Sequence, residues 1–257
     1  MSLLETRRLT VAVADTLVCQ DLSLALQPAQ RWALLGRNGA GKTTLLHALA
    51  GLRRPQAGEV LLDGEALVKL PRRAVAQRIG LLLQESHDAL PASVLETALL
   101  GRHPHLSPWR WEEAEDLEIA RKALAAVGLA ELEKREVGTL SGGERRRLAI
   151  ATLLAQDPAV FLLDEPTNHL DLHHQMSILT LLSARVAEQQ GGMILCLHDP
   201  NLAARFCSHA LLLFGDGESL AGPVSEVLTP DILSRLYGHP IRLIEANGDR
   251  AFIPGGI

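Results

Sequence analysis

Lys42 stands in a setting that few sequences reproduce by chance. Gly36-Arg37-Asn38-Gly39-Ala40-Gly41-Lys42-Thr43 satisfies the phosphate-loop pattern G-x-x-x-x-G-K-[ST] at every fixed position. Glycines let backbone N–H groups curl around an anion, and the new helix that follows would aim its positive end at the same place. Lys42 adds a full charge toward β- and γ-phosphates, and Thr43 offers a hydroxyl to Mg²⁺, with Thr44 following. The competing reading is a glycine-rich turn with a surface lysine. Apolar Trp32-Ala33-Leu34-Leu35 before the motif and the helical run Thr44 onward after it supply the strand–loop–helix context the motif requires.

Three further clusters follow. Ser141 and Glu144 in Leu140-Ser141-Gly142-Gly143-Glu144 fit the S-x-x-E capping box, so Ser141 is a good N-cap for a helix running to Gln156. A well-capped helix alone would explain that pair. The two glycines in the first turn would weaken it, which suggests close backbone approach by an anion. Val160-Phe161-Leu162-Leu163-Asp164-Glu165 reads as a buried parallel strand with acid at its carboxyl end, where ligands bind in such sheets. Asp164 would hold Mg²⁺, directly or through water, and Glu165 would polarise an attacking water. A solvated acidic pair at a strand end explains this motif equally well on its own. Met193-Ile194-Leu195-Cys196-Leu197 is another apolar strand, ending in His198; a lone histidine there is usually only a satisfied polar group. As the fourth phosphate-directed feature in order, it reads as functional.

In this order and spacing the chain resembles the nucleotide-binding subunit of ATP-binding cassette (ABC) transporters. The resemblance rests on the phosphate loop, on Gln84 after Ile79-Gly80-Leu81-Leu82-Leu83, and on the Leu-Ser-Gly-Gly-Glu signature. Asp164-Glu165, the loop Asn168-His169-Leu170-Asp171 and His198 complete it, and together they span essentially the whole chain. The family implies ATP and Mg²⁺ and a head-to-tail pair of chains. Each ATP then lies between one chain's phosphate loop and the other's signature. On that model Gln84 contacts Mg²⁺ or the attacking water, Glu165 acts as base and His198 contacts the γ-phosphate. Ser141, Gly142 and Gly143 close over the partner's nucleotide, and Asp171 belongs to the nucleotide-contacting set. One departure stands out. The family usually stacks an aromatic residue on adenine in the first strand region, and this chain has Val13 there, with no Tyr, Phe or Trp before Trp32. Loose nucleobase selectivity is the expectation.

The elements that must position these residues follow from patterning. Strands are expected at 31–35, 79–83, 160–164, 193–197 and 210–214, alternating with helices, as in a mostly parallel sheet. Residues 1–30 and 58–68 read as short strands of an antiparallel flap, with turns at Pro28 and Asp63-Gly64. Helical runs at 94–100 and 112–127 mark an inserted lobe. The tail adds a turn at Gly215-Asp216-Gly217, a helix at 230–237 and a hairpin about Asn247-Gly248. The fold expected is α/β, a P-loop NTPase cassette with a mostly parallel sheet core, an antiparallel β flap and an inserted α-helical lobe. It forms one domain over 1–257, with 1–85 and 140–257 as core and 86–139 as lobe.

Length and composition agree. The 257 residues are 47% hydrophobic but only 3% aromatic, so aliphatic side chains must fill the core. A net charge of -5 argues against nucleic acid, and Arg145-Arg146-Arg147 point in different directions on a helix, toward solvent or contacts within the lobe. Cys19, Cys196 and Cys207 have no C-x-x-C spacing; two lie in or beside apolar segments and read as buried thiols of a reducing cytosol. His169, His173 and His174 do not make a metal site: two are adjacent and no Cys accompanies them. Residues 1–9 lack an apolar signal core, and no uncharged run approaches a membrane span of roughly 18 residues.

In the family the lobe receives membrane subunits. Leu100-Gly101-Arg102-His103-Pro104-His105-Leu106, leading to Trp109-Arg110-Trp111, resembles the ATPases of importers for ferric siderophores, haem and cobalamin. Val227-Leu228-Thr229-Pro230 and Leu236-Tyr237-Gly238 do the same. The expected partners are a second copy, polytopic permease subunits and, indirectly, a substrate-binding protein, at the cytoplasmic face of the membrane. Cobalamin or a ferric siderophore is expected ahead of haem. An exporter subunit is the near alternative and a soluble phosphotransferase the distant one, which leaves the signature and His198 unexplained. A ribosomal cassette protein would normally carry two cassettes, and a DNA-repair cassette a long coiled coil absent between Lys42 and Ser141.

Overall fold

The computed structural model describes residues 1–14, 16–83, 91–107, 112–246 and 249–256. The chain opens with β1 (Leu4–Val13) and β2 (Thr16–Leu26), an antiparallel pair longer than the expected short strands. Next come β3 (Arg31–Gly36) and α1 (Lys42–Leu49), the strand–loop–helix that carries the glycines. After α1, β4 (Ala57–Leu62) pairs with β1, and the Asp63-Gly64 turn returns it to β5 (Glu65–Ala66). These four strands form the flap, in the order β2-β1-β4-β5.

The middle of the chain holds α2 (Arg72–Arg78), β6 (Ile79–Leu82), α3 (Val94–Leu99), α4 (Ala114–Ala126), α5 (Gly142–Gln156), β7 (Val160–Leu163) and α6 (Leu172–Glu188). Then follow β8 (Gly192–Cys196), α7 (Pro200–Phe206), β9 (His209–Leu213), β10 (Ser219–Pro223), α8 (Val224–Val227) and α9 (Pro230–Tyr237). The hairpin β11 (Ile241–Ala246) and β12 (Asp249–Pro254) ends it; its turn residues Asn247-Gly248 lie outside the described residues, as do Trp109 and Trp111. Among the described residues the central sheet runs β10-β9-β3-β8-β7-β6, parallel except for β10.

The apolar runs form central strands because both faces are covered. Side chains alternate across a strand, so Leu34, Leu162 and Ile194 join one core layer, and Ala33, Leu35, Phe161, Leu163 and Leu195 the other. The first layer is shared with the flap and α1, the second with α5 and α6.

The Gly101–His105 segment turns out to stitch α3 and α4 to α5 and the core. A side chain on Gly101 would strike the Thr152 carbonyl. Arg102 pairs with Asp116 at 2.8 Å and donates to the Ala155 carbonyl, also at 2.8 Å. The Pro104 carbonyl accepts from Arg73 and Gln77, and His105 Nε2 lies 2.8 Å from the Gln156 carbonyl. The Arg102 hydrogen bond is the main force holding the Asp116 carboxyl below its ordinary range.

All three cysteines are buried and free, Cys19 in the flap included. Burial pushes Cys19 up to about 11 and Cys207 up to about 12, and Cys196 well above the ordinary thiol value. Thiolate is the reactive form. The native protein is therefore expected to resist alkylation at pH 8, and all three thiols to react after denaturation, as counted by mass spectrometry. The sign for stability follows. A folded pKa above the unfolded value of about 8.5 stabilises the fold below that pH, and the contribution is lost as pH rises toward 11.

Candidate active site

In a parallel sheet every strand points its carboxyl end at the same edge, so loops after different strands meet. The loop after β3 carries the phosphate-loop residues, that after β7 carries Asp164 and Glu165, and that after β8 carries His198. Asn38, Gly39, Gly41, Lys42, Thr43 and Thr44 line one cleft of about 580 Å³ together with Glu165 and His198. Val13 and Thr16, paired at the tip of the β1–β2 hairpin, and Val18 line it from the flap side. Gly36, Arg37 and Ala40 shape the loop from behind: Ala40 is buried, and the Gly36 and Arg37 carbonyls accept hydrogen bonds from Lys42 Nζ at 2.9 and 3.3 Å.

Local geometry explains the loop's composition. Gly41 has φ +90°, and a side chain there would run into Val18. It precedes α1 without any side chain capping that helix, so the first-turn N–H groups face the loop. This is the arrangement that holds phosphate oxygens.

Asp164 is 1% exposed. Thr43 donates its hydroxyl to Asp164 Oδ2 at 2.5 Å, while Oδ1 is buried with no hydrogen-bond partner among the described residues. Two hard oxygen ligands of this kind, one with an unused buried lone pair, fit Mg²⁺. The Cys196 thiol sits beside the same carboxylate, which adds to burial in keeping it protonated. Next in sequence, Glu165 adopts φ +49°, unusual for a non-glycine residue. Its carboxylate lies between His198 Nε2, 2.6 Å from Oε1, and the Asn168 amide, which donates to Oε2. A carboxylate so fixed, lining the cleft, has the chemistry to orient a water or accept its proton.

The structure does not bring the signature to this cleft. Ser141 caps α5 as expected: Glu144 N donates to Ser141 Oγ at 3.2 Å, and Ser141 N donates to the Glu144 carboxylate at 2.7 Å. Ser141 and Gly142 are exposed. Gly143 is packed instead on the Asn168–Asp171 loop, where an added Cβ would lie 3.1 Å from the His169 carbonyl. Asp171 also stays away from the cleft. It caps α6, accepting from His174 N at 2.8 Å and pairing with its Nδ1, and the first of these bonds is the main cause of its lowered pKa. Gln84 lies outside the described residues.

Two contributions escape the sequence. Arg147 does make contacts within the lobe, to the Val127 and Gly128 carbonyls, and Arg145 is exposed, but Arg146 does neither. It is 6% exposed and donates to the carbonyls of Leu83, Asp164, Glu165 and Pro166, which corrects the expected solvent or lobe contact. The signal was helix phase: Arg146, Ile150 and Leu153 share one face at i, i+4 and i+7, and that face is buried. The C-terminal segment is the second. The Tyr237 hydroxyl donates to the His198 carbonyl at 3.3 Å, and Asn201 exchanges two hydrogen bonds with Phe252 of β12. Burial, with help from Asp199, pushes the Tyr237 phenol up to about 12.

Comparison with known proteins decides the family. Residues 19–168 match the model of the ABC transporter family. The chain belongs to that family. A hemin import ATP-binding protein, HmuV of Burkholderia thailandensis, is 40% identical over 97% of this chain and 98% of its own length. The ferric enterobactin transport ATP-binding protein FepC of Escherichia coli is 38% identical over 94% of this chain and 89% of its own. In structure, an inward-facing metal-chelate type ABC transporter superposes with a TM-score of 0.87 at 29% identity, covering all of this chain and 98% of that one. The cassette is thus an ATP-binding, ATP-hydrolysing subunit with the expected ABC fold. Among the described residues no helix is long and apolar enough to cross a membrane.

Proposed function

We propose that this cassette powers import of an iron chelate, haem or a ferric siderophore, by closing head-to-tail on ATP with a second copy of itself. The observation that carries the cargo is end-to-end similarity to ATP-binding proteins of hemin and ferric enterobactin import. These relatives name hemin and ferric enterobactin, and neither cobalamin nor export. Cargo selection itself belongs to the permease and its substrate-binding protein, with residues 86–139 as the lobe that receives the permease at the cytoplasmic face. The test is reconstitution with the permease in vesicles, supplied in turn with haem, ferric siderophore and cobalamin. ATP-driven accumulation of an iron chelate is expected; ATP-driven export, or accumulation of cobalamin alone, would refute the proposal.

The geometry supports these roles for the residues. The phosphate loop and Lys42 hold the phosphates, Thr43 and Asp164 would hold Mg²⁺, Glu165 takes the proton from water, and His198 binds the γ-phosphate side; the place of Gln84 beside Mg²⁺ rests on the family resemblance alone, since it lies outside the described residues. When bound there, Mg²⁺ would supply neutralisation of phosphate charge. Ser141, Gly142, Gly143 and Asp171 cannot serve the cleft of their own chain from where they sit, which favours a role across the dimer seam.

Val13 is 39% exposed and lines the cleft, and among the described residues no Tyr, Phe or Trp side chain lines it. GTP is therefore expected to compete with ATP unusually well. Val13→Tyr is expected to tighten ATP binding by roughly 0.5–1.5 kcal/mol, the range for an aromatic pair beyond area burial. Titration of the monomer with both nucleotides checks this, and strong native preference for ATP would mean that another side chain reads the base.

A further inference from the structure

We infer that Arg146 is a positioning residue that ties the Ser141-capped start of α5 to the turn bearing Glu165, so that what engages the signature also sets the catalytic base of the same chain. The inference rests on the composite-site reading for what engages the signature, but the link itself is intramolecular.

A buried guanidinium is tolerated only when its donors are satisfied. Arg146 Nη1 donates to the Leu83 carbonyl at 2.5 Å, Nε to Pro166 at 3.3 Å, and Nη2 to Glu165 at 2.7 Å and to Asp164. These carbonyls come from two segments, the one leaving β6 toward Gln84 and the turn after β7. A planar fork with five N–H donors can span both; an ammonium cannot. Burial lowers the Arg146 pKa to about 10, so the charge persists at neutral pH. The turn it grips is the one where Glu165 holds φ +49°, a conformation that persists only where surrounding contacts over-determine it.

A second contact runs in parallel. Gly143, one residue before the box glutamate, packs on the His169 carbonyl, and the same loop carries Asn168, whose amide holds the Glu165 carboxylate. The start of α5 therefore reaches Glu165 twice, through its backbone from Arg146 and through its carboxylate by way of the loop. Residues 142–156 form one continuous helix, so a shift of its exposed end carries Arg146 with it. In a closed pair, one chain's α5 seats on the partner's nucleotide while its Arg146 adjusts its own Glu165. The two ATP sites thereby share a physical element that both can bias.

The experiment is a double-mutant cycle between Arg146→Gln and Glu165→Gln on the full chain with its permease, read by single-turnover hydrolysis and by ATP affinity of the monomer. Arg146→Gln alone is expected to slow hydrolysis about 10–100-fold, the scale of a misplaced catalytic group, with monomer affinity within about twofold of wild type. In the Glu165→Gln background the same change is expected to add nothing, because Arg146 acts through Glu165. If Arg146→Gln does not fold, Arg146→Lys enters the same cycle; it keeps the charge and loses the fork, so it is expected to be slow rather than to rescue. A wild-type rate in either folded variant, or effects that multiply in the double mutant, would overturn the inference. Failure of the composite site is distinguished separately, by normal hydrolysis in Ser141→Arg.

Discussion

Glu165→Gln is expected to reduce ATP turnover by at least ~10²-fold while leaving ATP binding intact, as general-base removal does. The amide keeps the shape of the carboxylate and much of its hydrogen bonding, including contact with Asn168 and His198. It loses the negative charge that attracts the water proton. Lys42, Thr43 and the glycine loop are untouched, so nucleotide affinity has no reason to fall. With hydrolysis blocked and binding preserved, the ATP-closed pair should persist, and dimer seen by size exclusion with ATP should increase. Steady-state ATPase assays with nucleotide titration check both halves. Near-normal turnover in the variant would remove Glu165 from the chemistry and leave its placement between His198 and Asn168 without a catalytic purpose.

Much of this site could be read from sequence because its chemistry constrains local spacing. A phosphate needs backbone N–H groups, a positive-φ glycine and a lysine within one short loop, so residues 36–43 announce themselves. The central strands were equally legible. A strand covered on both faces must be apolar at every position, as Val160–Leu163 and Gly192–Cys196 are, and acid directly after such a run can only sit at the sheet edge. The Ser141 cap was fixed by a three-residue spacing that either matches or does not.

What could not be read is what folding brings together from afar. Helix phase in the sequence could have set Arg146 apart from its two neighbours, but not which distant carbonyls it would meet. The Tyr237 contact with His198 spans 39 residues and the Asn201 contacts with Phe252 span 51, and no local pattern encodes either. The Gly101–His105 segment shows the opposite limit. Its likeness to importer ATPases pointed toward partners, yet in the structure its side chains and carbonyls are spent on joining α3 and α4 to α5 and the core.

The second large effect concerns the site's division between two chains. Lys42 and Glu165 line one cleft, whereas Ser141 and Gly142 lie exposed elsewhere at a capped helix start. Ser141→Arg places a bulky cation at the proposed seam and leaves the cleft of its own chain intact. Monomeric ATP affinity should be unchanged and hydrolysis abolished. Lys42→Ala should weaken binding in the monomer as well, because the ammonium beside the phosphates is gone. Mixing the two variants distributes the lesions. In a mixed pair both fall on one shared site, and the other site has an intact phosphate loop from one chain and an intact signature from the other.

The most direct measurement is therefore the ATPase rate of Ser141→Arg, alone and across mixing ratios with Lys42→Ala, with subunit exchange verified and the permease present. A composite site requires Ser141→Arg alone to fall by at least ~10²-fold, the scale for losing donors aimed at the transferring group. Activity is expected to return on mixing, greatest near equal proportions, unless both sites must fire together, in which case the mixed pair stays silent. Wild-type hydrolysis by Ser141→Arg alone would contradict the head-to-tail account.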